Sequence, residues 1–156
     1  MSRRDKIGMS DEEVRAFLRG NKTLTICSIG PSGHPHPMPM WFAMDDDGTI
    51  RMTTFRKSQK VKNIQRDPKV SLLSEAGEDY FELRGVVIYG EAEILDDIEF
   101  VKDTMVRISG GQVQADPAAV EGMKAVIGST AAKRVGLRIR PDRIVSWDHR
   151  KLGGSY

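Results

Sequence analysis

The polar and apolar residues of this chain follow two repeat periods, one typical of helices and one typical of strands. Between Ser10 and Gly20 the apolar residues recur at helical spacing, and Glu13 stands three residues after Ser10, as in a capping box. Other segments alternate apolar with polar residues or form short runs rich in β-branched residues, which is typical of strands. In chain order, the predicted strands are TLTICSI, PHPMPMWFAM, IRMTTF, KVSLLSE, YFELRGVVIYGEAEIL, VGLRIRP and RIVSWDH.

Prolines and glycines indicate where these strands turn, bend or lie at an edge. The prolines at positions 35, 37 and 39 cannot donate ladder hydrogen bonds, so the start of the second strand is predicted at an edge or a bulge. The DDDG run at residues 45–48 predicts a hairpin turn between the second and third strands. Gly85 and Gly90 interrupt the long fifth strand and predict bends that help to close a barrel.

Two further regions have helical character. The first is residues 58–66, ended by the Asp-Pro pair that follows, and the second begins at Asp96 and runs to about residue 108. Residues 110–128 fit either a loop or a weak helix, and the pattern leaves both open. Strands and helices do not alternate as βαβ units, so the sequence predicts a mainly β, antiparallel barrel with flanking helices, forming one domain over residues 1–156.

Composition narrows the class of protein. The 156 residues include 39% hydrophobic and 29% charged residues, which is ordinary for a globular domain. A single cysteine excludes an internal disulfide and a thiolate-rich metal site, and three histidines give little support for any metal site. The start of the chain lacks the apolar stretch of a signal peptide, and no apolar run is long enough to span a membrane. These observations predict a cytoplasmic protein without a membrane partner.

Charge is distributed unevenly along a nearly neutral chain. The formal net charge is +2, which is too small to predict a nucleic-acid partner. Basic residues are nevertheless concentrated in residues 51–69, which contain one acidic residue, and again in residues 133–151. Local basic stretches on a nearly neutral protein predict a small anionic ligand rather than a polyanion.

The first basic stretch has the organisation of a phosphate site. The predicted strand ends at Phe55 and the next helix begins near Ser58, whose hydroxyl suits the N-cap. The free N–H groups of a helix N-terminus attract phosphate, Lys60 adds a charge in the first turn, and Arg56 and Lys57 precede the helix. Each charge-assisted bond contributes roughly 1.5–3 kcal/mol. On spacing alone, a solvated basic helix explains the same residues equally well.

Three segments resemble a known family. The run SQKVKNIQRDPKVSLL, the following ELRGVVIYGEAEILDD and the C-terminal RIRPDRIVSWDHRKLGGSY are similar to segments of the pyridoxamine 5′-phosphate oxidase-like superfamily. The resemblance covers residues 10–156. It implies the split β-barrel that binds FMN in flavin reductase-like proteins. It also implies a homodimer with two cofactor sites at the subunit interface, acting on a small-molecule substrate.

The resemblance also implies which residues bind the cofactor. Lys60 and the residues near Ser58 hold its phosphate, while residues around 39–42 and 52–54 flank the ring system and the phosphate arm. Trp147 and the tail approach the site from the partner subunit. The cofactor-binding residues predicted in this way are Pro39, Met40, Trp41, Thr53, Thr54, Arg56, Lys57, Ser58, Lys60, Asn63 and Trp147. No catalytic acid or base is predicted.

One departure from the family pattern bears on the cofactor. FMN-using pyridoxamine phosphate oxidases carry an arginine in the second strand that also holds phosphate, whereas this chain has His-Pro-Met-Pro-Met-Trp at residues 36–41. Their C-terminal Arg-x-His pair is replaced by Trp-Asp-His-Arg at residues 147–150. The sequence is closer to the small deazaflavin reductases that use coenzyme F-420, with FMN as the alternative cofactor. A non-catalytic carrier of a flavin or tetrapyrrole is the third hypothesis.

Overall fold

The computed structural model describes residues 3–110 and 116–154. The helices are α1 (Arg3–Ile7), α2 (Asp11–Arg19), α3 (Gln59–Arg66), α4 (Ile98–Gly110) and α5 (Pro117–Ala131), with short 3-10 helices at Tyr80–Glu82 and His149–Leu152. The strands are β1 (Thr23–Ile29), β2 (Pro35–Trp41), β3 (Ala43–Met44), β4 (Ile50–Phe55), β5 (Lys69–Ala76), β6 (Arg84–Leu95) and β7 (Arg134–Asp148).

All seven strands form one antiparallel sheet in the order β2-β1-β5-β6-β7-β4-β3. The predicted antiparallel β-structure with flanking helices is therefore confirmed. Only Phe42 separates β2 from β3 along the chain, yet these two strands lie at opposite ends of the strand order. The sheet must curl until its two edges meet near Phe42, which gives the split barrel.

Two of the predicted strand boundaries are wrong. The segment PHPMPMWFAM is not one strand: β2 pairs with β1, whereas Ala43 and Met44 pair with β4. The two predicted C-terminal strands are instead one strand, β7, of 15 residues. Pro141, with which the first of these two predicted strands ends, pairs with Gly90 at a register shift, and a bulge accommodates a residue that has no N–H to donate.

Prolines and glycines otherwise act largely as predicted. The proline-rich β2 is an edge strand of the sheet. The hairpin turn at residues 45–48 joins β3 to β4, with Gly48 at a φ of 88°. Gly90 lies at the register shift between β6 and β7. Gly85 makes no such shift and pairs regularly with both Glu75 and Trp147, so its role as a bend stays a prediction.

The α-helices precede or connect the strands of the sheet. The capping box of α2 is present in full, since Ser10 and Glu13 exchange side chain-to-backbone hydrogen bonds. Helix α5 favours the helical alternative for most of residues 110–128, whereas residues 111–115 lie outside the described part of the chain. The predicted fifth strand begins with a 3-10 helix, Tyr80–Glu82, before β6. Within the described residues, no helix is long and apolar enough to cross a membrane.

The hydrophobic core lies inside the curled sheet. It is lined by alternate residues of the strands, among them the fully buried Leu24, Leu72 and Ile88. Helix α3 packs across one end of the barrel through Val61 and Ile64, each 2% exposed. This position brings the N-terminus of α3 to the end of β4, where the predicted phosphate residues are.

Candidate cofactor site at the end of strand β4

The turn between β4 and α3 has the predicted geometry, with one difference. Ser58 occupies the N-cap position of α3, but its side chain makes no capping hydrogen bond. Its hydroxyl lies 3.3 Å from the Thr54 hydroxyl instead. The expected capping bond is therefore absent, and the first N–H groups of α3 are not satisfied by the Ser58 side chain. Such N–H groups suit an anionic ligand.

Lys60 is buried at this turn without a carboxylate partner. Its exposed fraction is 8%, and its Nζ donates a hydrogen bond of 3.1 Å to the Thr54 hydroxyl. Among the described residues no acidic side chain forms an ion pair with it. Burial lowers the pKa of Lys60, and the positive charge of Arg134 lowers this pKa further. A buried ammonium next to another cation is unfavourable unless an anion compensates it.

Arg56 and Lys57 differ from Lys60 in their surroundings. The Arg56 guanidinium forms an ion pair with Asp96, and this hydrogen bond raises the pKa of Arg56 and lowers the pKa of Asp96. Lys57 is exposed on the turn. Their contribution to phosphate binding stays a prediction from the sequence.

Thr53 and Thr54 are buried at the end of β4 and serve two different cations. As neighbours in a strand they project to opposite faces of the sheet. The Thr54 hydroxyl accepts from Lys60, and the Thr53 hydroxyl accepts from the guanidinium of Arg134 at 3.4 Å. Arg134 is absent from the residues predicted from the sequence. Its membership of the second basic stretch was the only signal, because the register that pairs it with Phe55 is a property of the folded sheet.

Asn63 lies one turn further along α3, and its side-chain amide is hydrogen-bonded to other residues of the protein. It is fully buried, donates to the Ser28 hydroxyl at 3.0 Å and accepts from Gln59 at 2.9 Å. The bond to Ser28 ties α3 to β1 and so helps to fix the orientation of the helix, whereas the bond from Gln59 lies within α3. Both polar atoms of the Asn63 amide already have protein partners, and its contact with a cofactor remains a prediction.

The residues predicted to flank the ring lie on the edge strand β2. Pro39 is exposed, and Met40 packs against the core. Trp41 is 65% exposed and lines a cavity of about 450 Å³ between the C-terminal ends of α2 and α4. Neither Lys60 nor Thr54 lines this cavity. Within one chain, the structure therefore gathers the phosphate residues but does not bring Trp41 to them.

Trp147 lies near the C-terminal end of β7, whereas Arg134 begins that strand. Thirteen steps at 3.3 Å correspond to roughly 40 Å of strand between them. The indole of Trp147 packs over Gly85 of the neighbouring strand. A contact between Trp147 and the Lys60 group of the same chain is thus disfavoured, and the approach of Trp147 from a partner subunit stays a prediction.

Taken together, the groups gathered at the end of β4 are cations, hydroxyls and helix N–H groups. They can bind and orient a phosphate, and they do not form an acid–base pair.

Comparison with known proteins identifies relatives of this chain. Residues 10–148 match the family model described as pyridoxamine 5′-phosphate oxidase. A 5a,11a-dehydrotetracycline/5a,11a-dehydrooxytetracycline reductase of Streptomyces rimosus is 26% identical over 136 residues, which are 84% of this chain and 78% of the reductase.

Solved structures share the fold. A conserved hypothetical protein from Mycobacterium tuberculosis superposes with a TM-score of 0.86 and 39% identity, covering 100% of this chain and 95% of that protein. A protein described as an F420 reductase superposes with a TM-score of 0.62 and 24% identity, covering 86% of this chain and 98% of that one. At this level of identity the second likeness concerns the fold alone.

Proposed function

Because the chain belongs to the pyridoxamine 5′-phosphate oxidase family, we propose that it is an oxidoreductase that uses coenzyme F-420 to reduce a small conjugated organic acceptor. The Streptomyces relative is a reductase, which supports this class of reaction. Bound coenzyme F-420 would supply a hydride, while the protein would supply binding, orientation and electrostatics. The proposal retains the cytoplasm as the compartment, where a single cysteine without a disulfide partner is ordinary.

One observation carries the proposal: Lys60 is buried at a helix N-terminus and has a hydroxyl, but no carboxylate, as its partner among the described residues. An uncompensated buried charge is costly, so a protein rarely keeps one without a use. A phosphate bound at this position would pair with the ammonium and accept from the free N–H groups of α3. The Lys60 ammonium and the N–H groups of α3 would therefore bind the phosphate of the cofactor.

The choice of coenzyme F-420 over FMN rests on the second strand. Residues 36–41 of β2, which contain no arginine, lie where FMN-using members of the family have a phosphate-binding arginine. Without an arginine in this strand, the site favours the phosphodiester of coenzyme F-420, with its single negative charge, over the more highly charged phosphomonoester of FMN. FMN remains the second candidate, because Lys60 and the helix N-terminus suit either phosphate.

The proposal includes a homodimer, supported by an apolar row on the outer face of the sheet. Ladder pairing places the apolar residues Leu73, Val87 and Val145 side by side across β5, β6 and β7, with Thr25 of β1 next to Leu73. Their strand neighbours Leu72, Val86 and Ile88 are fully buried in the core, so this row faces outward. A continuous apolar row on the outside of a sheet is typical of an interface.

Titration of the purified protein with coenzyme F-420 and with FMN, followed by fluorescence, tests the proposal. We expect tighter binding of coenzyme F-420, and turnover of an acceptor by its reduced form. Tight binding of FMN without a response to coenzyme F-420 would assign the protein to the FMN-dependent class. Binding of a flavin or tetrapyrrole without turnover of any acceptor would favour a carrier.

Replacement of Lys60 tests the site itself. Lys60→Ala should weaken cofactor binding more than about tenfold, since a charge-assisted hydrogen bond is lost. Lys62→Ala is the matched control, because Lys62 is an exposed lysine of the same helix. Equal affinities of the two variants would show that the phosphate binds elsewhere.

A further inference from the structure

Arg134 is held at the end of β4 by a cross-strand contact. It is the first residue of β7 and pairs with Phe55, the last residue of β4. The guanidinium carbon lies 4.3 Å from the centre of the Phe55 ring, within the range of a cation–π contact. The side chain is half-buried. Stacking on Phe55 therefore fixes the position of the guanidinium before any ligand binds.

The polar atoms of Arg134 are poorly satisfied. One nitrogen donates to the Thr53 hydroxyl over a long 3.4 Å, and the buried Nε has no hydrogen-bond partner in the described part of the chain. None of the acidic residues described forms an ion pair with it. Several other arginines do have a carboxylate partner, namely Arg51, Arg56, Arg138 and Arg150. Arg134 is thus a partly buried guanidinium that has donors to offer to a ligand.

Arg134 also lies close enough to Lys60 for the two charges to interact, since Arg134 contributes to the lowered pKa of Lys60. The two cations bond to adjacent threonines that project to opposite faces of β4. They therefore flank the end of the strand from its two sides, with the N-terminus of α3 immediately beyond. Two neighbouring cations without an anion repel each other, and a shared anion would remove this cost.

We propose that Arg134 is the second phosphate-binding cation of the cofactor site and acts together with Lys60. This inference rests on the proposed function and adds a residue to it. A phosphate has several acceptor oxygens, so it can accept from an ammonium and from a guanidinium at the same time. The chemistry that fits is a phosphomonoester, as in FMN, or a phosphodiester, as in coenzyme F-420. Arg56, by contrast, already has Asp96 as its anion.

The test compares cofactors with and without phosphate. Wild type, Arg134→Gln and Arg134→Lys are titrated with FMN and riboflavin, and with coenzyme F-420 and its phosphate-free chromophore, and dissociation constants are measured by fluorescence. We expect Arg134→Gln to lose about tenfold or more in affinity for the phosphate-bearing member of the preferred pair, and less than about twofold for the phosphate-free member. Arg134→Lys, which keeps the charge, should lose less than Arg134→Gln. A loss confined to the FMN pair would identify the ligand as a phosphomonoester, and a loss confined to the coenzyme F-420 pair would identify it as a phosphodiester.

Arg138→Gln is the matched control, because Arg138 lies on the same strand and is paired with Glu93. It should bind like wild type. Unchanged phosphate-dependent affinity in Arg134→Gln, or an equal loss for both members of the pair, would overturn the role of Arg134. If Arg134→Gln does not fold, two other variants decide the role of Arg134. Wild-type affinity for the phosphate-bearing cofactor in Arg134→Gly would overturn it. Equal losses of affinity for the phosphate-bearing and the phosphate-free cofactor in Arg134→Lys would also overturn it.

The outcomes also separate this inference from the proposed function. If wild type binds neither pair, both fall. If Lys60→Ala loses phosphate-dependent affinity and the Arg134 variants do not, the proposed site stands and only the role of Arg134 is wrong.

Discussion

Lys60 illustrates how a single residue can favour binding at the expense of stability. The residue is 8% exposed, and among the residues described its ammonium has only the Thr54 hydroxyl as a protein partner. Desolvation disfavours its charged form, as the lowered pKa of Lys60 reflects. The same desolvation strengthens the attraction to a bound phosphate, because electrostatic interactions are stronger away from water. The residue is thus expected to destabilise the ligand-free protein and to stabilise the complex.

Replacement of Lys60 by methionine should separate these two effects. Methionine keeps the length of the side chain without its charge, and Thr54 retains the Ser58 hydroxyl as a neighbour. We expect Lys60→Met to raise the ligand-free free energy of unfolding by roughly 1–3 kcal/mol. Urea denaturation measures this change. Lys62→Met, on the exposed side of α3, should leave the stability nearly unchanged, and a destabilised Lys60→Met would contradict the interpretation.

The pH dependence of this difference distinguishes charge from shape. Because the pKa of Lys60 is lowered in the folded state from the ordinary 10.5, the unfolded chain binds more protons between the folded pKa and 10.5. The stability of the wild type relative to Lys60→Met therefore rises with pH in that window. The advantage of the methionine variant should be largest near neutral pH and should shrink as the pH approaches 10.5. A constant difference would point to packing alone.

Among the elements, the β6–β7 ladder shows how two long strands can stay in contact along their length. The register shift between Tyr89 and Gly90 accommodates Pro141, so β7 continues where the sequence predicted an end. Near the other end of the ladder, Gly85 leaves room for the Trp147 indole: a Cβ there would lie 2.3 Å from the ring. One glycine thus serves a bulge and the other a close side-chain contact.

Gly85→Ala should destabilise the protein by about 1–3 kcal/mol, because the added methyl group overlaps the Trp147 ring and forces it to move. The matched control is Gly122→Ala in α5, where nothing lies within 4 Å of the added Cβ. An alanine within a helix is favoured over glycine, so this variant should be stabilised by roughly 0.5–1 kcal/mol. Urea denaturation of both variants provides the comparison. If Gly85→Ala were as stable as Gly122→Ala, the indole would move aside without loss of folding free energy.

At the scale of the whole molecule, the arrangement of the predicted cofactor residues supports the proposed homodimer. The Lys60 group and Trp147 lie toward opposite ends of the sheet's long strand, and the outer face carries the apolar row centred on Val87. A partner seated on this row would cover it and bring a second Trp147 toward the first chain's site. Binding and association would then depend on the same surface.

Val87→Lys should therefore convert the proposed dimer into monomers and weaken cofactor binding. The side chain points away from the core, so the monomer can solvate the new charge, whereas an interface would have to bury it. Analytical ultracentrifugation measures the mass in solution. Val126→Lys is the control, since Val126 is 82% exposed on α5 and lies outside the row. A monomeric wild type would refute the homodimer, and a dimeric Val87→Lys would place the interface elsewhere.

The sequence by itself determined the features that depend on neighbouring residues. Capping at Ser10, the edge position of the proline-rich strand, the turn at residues 45–48 and the cation at Lys60 all follow from local chemistry and local period. Only the tertiary structure decided what depends on residues distant in the chain. The continuity of β7 past Pro141 needed a bulge where it pairs with Gly90 of β6, and the role inferred for Arg134 needed the register that brings it to Phe55. Strand register arises from pairing between separate segments, and a periodic pattern in one strand does not specify its partner.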